Sequence, residues 1–97
     1  MAATKTILLV DDDDDLREAL AEQLDMHAEF TTVQAPNATE GINIAENERV
    51  DLILLDVDMP DMDGREACKL MRKKGVHVPV IMPVSYTHLT LPTIYSV

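Results

Sequence analysis

Ile7-Leu8-Leu9-Val10 runs straight into Asp11 and Asp12, and Leu52-Ile53-Leu54-Leu55 runs straight into Asp56. Short, continuous apolar runs of this kind read as strands buried on both faces. In an open parallel sheet the carboxyl ends of the strands share one edge, and ligands bind there. If the two runs are neighbours, three carboxylates converge. Two such charges about 4 Å apart repel by roughly 4 kcal/mol at an effective dielectric of about 20. That repulsion calls for a cation. A donor set made only of oxygens suits Mg²⁺, which keeps several waters and bridges carboxylates to phosphate. A carboxylate beside Mg²⁺ is also placed to act as a nucleophile toward phosphorus. The remaining acids of the run, Asp13, Asp14 and Asp15, read as a solvated loop and a helix cap.

The elements that must position these groups alternate in type. Leu16, Leu20, Leu24 and His27 recur at near-helical spacing after a cap at Asp13 or Asp14. Residues 30–35 are rich in β-formers and predict a second strand. Asn37 followed by Glu40 resembles a capping box and leads a helix that carries Ile42 and Ala45. A third helix carries Ala67, Leu70 and Met71 and closes at Gly75. Residues 78–82 predict a fourth strand. The order βαβαβαβ means an α/β fold, a parallel sheet with helices on both faces.

The composition limits the partners. Of the 97 residues 18 are acidic and 8 basic, for a formal charge of −10. The length fits one small domain. The charge excludes a nucleic-acid or acidic-membrane surface on this segment and favours a cation. A single cysteine, Cys68, excludes an internal disulfide and points to a reducing, cytoplasmic setting. The apolar run at residues 7–10 is too short for a signal peptide. Five of the eight basic residues lie between Arg65 and Lys74, a predicted solvated helix face. No charged residue follows Lys74, yet Pro79, Pro83 and Pro92 argue against a membrane span there. Asp11, Asp13, Asp15 and Glu22 match four calcium-loop positions. However, Leu16 stands where the loop requires glycine, so that reading is set aside.

Taken together, Ile7 through Asp13 and the stretch Asp56-Val57-Asp58-Met59-Pro60-Asp61-Met62-Asp63-Gly64 resemble the receiver domain of bacterial two-component response regulators. The resemblance runs from Lys5 to Met82 and implies a flavodoxin-like, doubly wound sheet. It implies that Asp56 accepts a phosphoryl group from a sensor histidine kinase. It also implies that Asp11, Asp12 and Asp56 hold Mg²⁺ together with the backbone carbonyl of Asp58. Met59, Pro60 and Gly64 would shape the loop over the site. The role implied is signalling, with no enzyme turnover beyond slow autodephosphorylation. Residues 61–70 are most like receivers that precede a winged-helix DNA-binding domain. That comparison leaves room for a C-terminal DNA-binding domain lost from this segment.

The resemblance weakens after residue 82. The family's switch hydroxyl falls on Val84, with Ser85 one residue late, and the family's fifth-strand lysine has no counterpart after Lys74. Residues 1–83 therefore read as a partial receiver, truncated after the fourth strand. Residues 84–97 read as an atypical, non-native tail similar to translated sequencing-adapter read-through. The rival expectation is a native tail supplying an edge strand through Leu89, Leu91 and Ile94. A fourth strand left uncovered would invite self-association. Two other functional readings are a haloacid-dehalogenase-like phosphatase using Asp56 and Asp58, and a fragment without function.

Overall fold

The computed structural model describes residues 4–57, 59–82 and 93–95, the last three by their backbone. Strand β1 (Lys5–Val10) leads to helix α1 (Asp14–Asp25), β2 (Phe30–Ala35), α2 (Ala38–Asn47), β3 (Leu52–Leu55), α3 (Gly64–Lys73), β4 (Val80–Met82) and β5 (Thr93–Tyr95). The sheet order is β2-β1-β3-β4-β5. The first four strands are mutually parallel, with Val10 opposite Ala35 on one side and Leu55 on the other.

Strand alternation divides the apolar residues between two faces. Leu8, Val10, Ile53, Leu55, Val80 and Met82 point into the larger core, where α2 and α3 bring Ile42, Ala45, Ala67, Cys68 and Met71. Ile7 and Leu9 point the other way, onto Ala21 of α1, with Leu52 and Leu54 packed at the margin. Because α1 covers mainly β1 and β2, Leu52, Leu54 and Ile81 stay only half-buried, whereas Ile53 is fully buried.

The helix ends follow their local chemistry. Asp13 caps α1 by accepting from the Leu16 N–H at 3.1 Å, which decides between Asp13 and Asp14. Asn37 caps α2 by accepting from the Glu40 N–H at 2.9 Å, one half of the expected capping box. Asp63 caps α3 through the Arg65 N–H at 2.7 Å. The end of α3 is a Schellman turn: the Val76 N–H donates to the Met71 carbonyl and the Gly75 N–H to that of Arg72. Gly75 takes the positive φ of 89° that this turn requires.

Three expectations need correction. Helix α1 stops at Asp25, so His27 lies outside it, exposed in the turn, with its ring against Phe30. Strand β4 begins at Val80, two residues later than predicted. Pro79 has no N–H for the ladder, and the Val78 carbonyl is taken by the Arg72 guanidinium at 2.8 Å. The edge of β4 is not open: β5 pairs with it antiparallel, Ile81 opposite Ile94, so the strand edge expected to drive self-association is occupied. Antiparallel addition converts the predicted all-parallel sheet into a mixed one. Of the rival tail's apolar residues, Ile94 falls in β5, while Leu89 and Leu91 lie outside the described residues.

The unequal cover of the two faces has a measurable consequence. Ile53→Ala empties a fully enclosed site and should cost about 2–5 kcal/mol. Its neighbour Leu54→Ala, already half in water, should cost clearly less. Urea unfolding of the two variants checks the order.

Candidate functional site

The ladder between β1 and β3 brings the acids together. With Val10 opposite Leu55, the next residues, Asp11 and Asp56, emerge side by side. The Asp56 N–H donates to the Val10 carbonyl at 2.9 Å, and the Asp11 N–H to the Ala35 carbonyl at 3.2 Å, so both strand ends are tied where the acids begin. Asp11, Asp12 and Asp56 each offer a carboxylate oxygen within 4.8 Å of the other two. Asp11 is buried, Asp56 is half-buried and Asp12 is exposed. Asp11 Oδ1 accepts from the Asp13 N–H at 2.9 Å, an Asx turn that aims the carboxylate. The donor set is all hard oxygen, and its Asp12 side faces water. Both features fit a cation that retains water ligands, as Mg²⁺ does.

The loop after Asp56 is fastened at three points. Met59 is buried among the core residues. The Gly64 N–H donates to the Val57 carbonyl at 2.8 Å, and Gly64 packs so closely that a Cβ there would overlap the Asp56 carbonyl oxygen and lie 3.0 Å from Val57 Cα. These neighbours are backbone, so they cannot yield as a flexible side chain would. Pro60 lies exposed in the same loop. The third point is Asp61, whose carboxylate accepts from the N–H groups of Ala38 at 3.2 Å and Thr39 at 2.9 Å and from the Thr39 hydroxyl at 2.8 Å. A carboxylate at a helix N-terminus is favoured by both the unpaired N–H groups and the helix dipole.

Two contributors, Asp61 and Arg17, were not singled out from the sequence. The partners of Asp61 lie 22 and 23 residues away, beyond any local pattern. Arg17 is buried behind the acids, donating to the Asp11 carbonyl at 2.7 Å and to Gln34 Oε1 at 3.0 Å. Its signal was available: Arg17, Ala21 and Leu24 share helical spacing, which puts Arg17 on the inward face. The basic cluster is less uniform than expected. Arg65 pairs with Asp63 and Lys74 with Glu46 at the surface, whereas Arg72 holds the Val76 and Val78 carbonyls. Asp58, Val84 and Ser85 lie outside the described residues.

A family model of the response regulator receiver domain matches residues 7–92. The chain belongs to that family, and the phosphatase-like reading is set aside. The chain is 36% identical over 76 residues to the response regulator MprA from a Mycobacterium species, covering 78% of this chain and 33% of that protein. It thus spans about a third of that relative's length. The response regulator TrrA from Thermotoga maritima, in complex with Mg²⁺ and BeF, superposes with a TM-score of 0.78 at 33% identity, covering 88% of this chain and 73% of the other. A structure of histidine kinase ThkA in complex with TrrA gives 0.77 at 32% identity, covering 91% and 75%. These neighbours share the α/β, flavodoxin-like architecture. The chain is thus a receiver of the two-component type, and no helix among its described residues is long and apolar enough to cross a membrane.

The Asp61 tether carries a pH signature. Burial pushes its carboxyl up, but the hydrogen bonds from Thr39 and Ala38 outweigh this and hold it below its ordinary value of 3.8. A lowered folded value means the tether stabilises the protein at neutral pH, and that this stabilisation is lost as pH falls through the folded value. Asp61→Ala should cost about 1 kcal/mol near neutrality, in line with the loss of a helix cap. The difference from wild type should shrink once the pH drops below about 4. Urea melts across this range test the sign.

Proposed function

We propose that Asp56 is the phosphoacceptor of this receiver, and that Asp11, Asp12 and Asp56, with the Asp58 carbonyl, form its Mg²⁺ site. The observation that carries the reading is the convergence of three carboxylates at the carboxyl ends of two adjacent parallel strands. The Mg²⁺–BeF complex of TrrA and its kinase complex support it by similarity. The phosphodonor would be a histidine kinase in the cytoplasm, and the output would lie in a separate domain. This segment, with its net charge of −10, would not itself contact DNA.

The chemistry follows from the placement of Asp56. A carboxylate oxygen attacks phosphorus, the phosphorus–nitrogen bond to the donor imidazole breaks, and the imidazole leaves with a proton. The product is an acyl phosphate on Asp56. Mg²⁺, when bound, would offset the negative charge gathered on the phosphoryl oxygens. Asp11, held by its Asx turn, and Asp12, open to water, would orient that charge. Gly64 leaves the backbone at Asp56 uncrowded. Val84 in place of a switch hydroxyl would leave the product with one donor fewer. Phosphorylation of this chain should therefore be slow and its conformational response small. The same reading divides the chain into a receiver part at 1–83 and an atypical tail at 84–97. Its role is signalling, with no turnover beyond slow autodephosphorylation.

Acetyl phosphate with Mg²⁺ should modify Asp56, visible by intact-mass spectrometry, and Asp56→Asn should abolish the modification. Asp12→Ala should weaken Mg²⁺ binding by about tenfold or more in calorimetry. Modification that persists in Asp56→Asn, or Mg²⁺ affinity untouched in Asp12→Ala, refutes the assignment. Asp14→Asn, in the first turn of α1, should change Mg²⁺ affinity far less.

A further inference from the structure

Among the described residues, the buried charged residues are Asp11 and Arg17, 5% and 8% exposed, and the Arg17 side chain meets the Asp11 main chain. Arg17 Nη1 donates to the Asp11 carbonyl at 2.7 Å, Nε donates to Gln34 Oε1 at 3.0 Å, and Nη2 pairs with Asp14 Oδ1 at 2.7 Å. One guanidinium thus ties the end of β1 to β2 and to the first turn of α1. Burying a charged group is costly unless its hydrogen-bonding capacity is met, and a planar fork with five N–H donors can meet several acceptors in fixed directions. Asp11 is tied on both sides: its N–H is held by Ala35 and its carbonyl by Arg17. With the main chain fixed at both ends, the direction in which its side chain leaves is fixed as well.

We infer that Arg17 is a positioning residue for the cation site: by clamping the Asp11 carbonyl against β2 and α1, it holds the Asp11 carboxylate in range of Asp12 and Asp56. The inference rests on the Mg²⁺ reading of those acids. Charge alone gives the opposite expectation. A guanidinium behind three carboxylates repels an incoming cation, so removing it would tighten binding if Coulomb attraction were all that mattered. Weakened binding on removal therefore reports geometry. A purely structural role would lower the melting temperature and leave Mg²⁺ affinity unchanged.

The test uses the full 97-residue chain and Mg²⁺ calorimetry, with circular dichroism to confirm the fold. Arg17→Met keeps the aliphatic stem and removes the fork, and it should weaken Mg²⁺ binding about tenfold, the usual scale for losing a group that orients a ligand. Ala21→Gly, on the same buried face of α1, supplies a loss of melting temperature that should leave Mg²⁺ affinity unchanged. If Arg17→Met does not fold, Arg17→Lys keeps the charge without the planar fork and should also bind Mg²⁺ more weakly than wild type. Unchanged or tighter binding in a folded Arg17 variant, alongside a clear loss in Asp12→Ala, overturns this inference and leaves the metal site standing. A wild-type chain that binds no Mg²⁺ overturns both.

Discussion

Three carboxylates within 4.8 Å of one another repel, and the structure around them holds them together against that repulsion. The restraint comes from the backbone. The Asp56 N–H to the Val10 carbonyl, and the Asp11 N–H to that of Ala35, extend the ladder up to the residues that carry the charge. The sheet can act as a rigid base because Leu8, Ile53 and Leu55 are almost completely enclosed between it and the helices α2 and α3. Close-packed interiors transmit such constraints because moving one side chain requires moving its neighbours.

Around that base each connection ends in a polar anchor. Asp13, Asn37 and Asp63 cap the three helices. Asp61 bonds the two N–H groups of α2 that precede the one taken by Asn37, so the first turn of that helix is satisfied by two different loops. The arrangement couples the loop after Asp56 to α2. Arg17 does the same on the other face, joining α1, β2 and the end of β1. The acidic site is thus held from both faces of the sheet by charged side chains that bond backbone and side-chain groups alike.

The sheet is finished unevenly. Its α2–α3 face is closed, while Leu52, Leu54 and Ile81 on the α1 face remain half-buried. On the far side β5 runs antiparallel to β4, which a chain segment can do after simply turning back, without the crossover helix that another parallel strand requires.

Much of this was legible in the residues. The two apolar runs ending in aspartate, the helix caps at Asp13 and Asn37, and the glycine closing α3 are local signals, set by side-chain type and by spacing along a few residues. They determined the alternating order of strands and helices and the three acids that would meet if the strands were neighbours. Strand adjacency, the register of Val10 against Leu55 and the antiparallel return of β5 were decided by tertiary structure, because each depends on which segments pack across long stretches of chain. For the same reason the partners of Asp61 and Arg17 were decided by tertiary structure, although helical spacing already placed Arg17 on the inward face of α1. An isolated aspartate and an isolated arginine have the same local chemistry at the surface as in a clamp. Only folding brings Ala38 and Thr39 to the one, and Gln34 and the Asp11 carbonyl to the other.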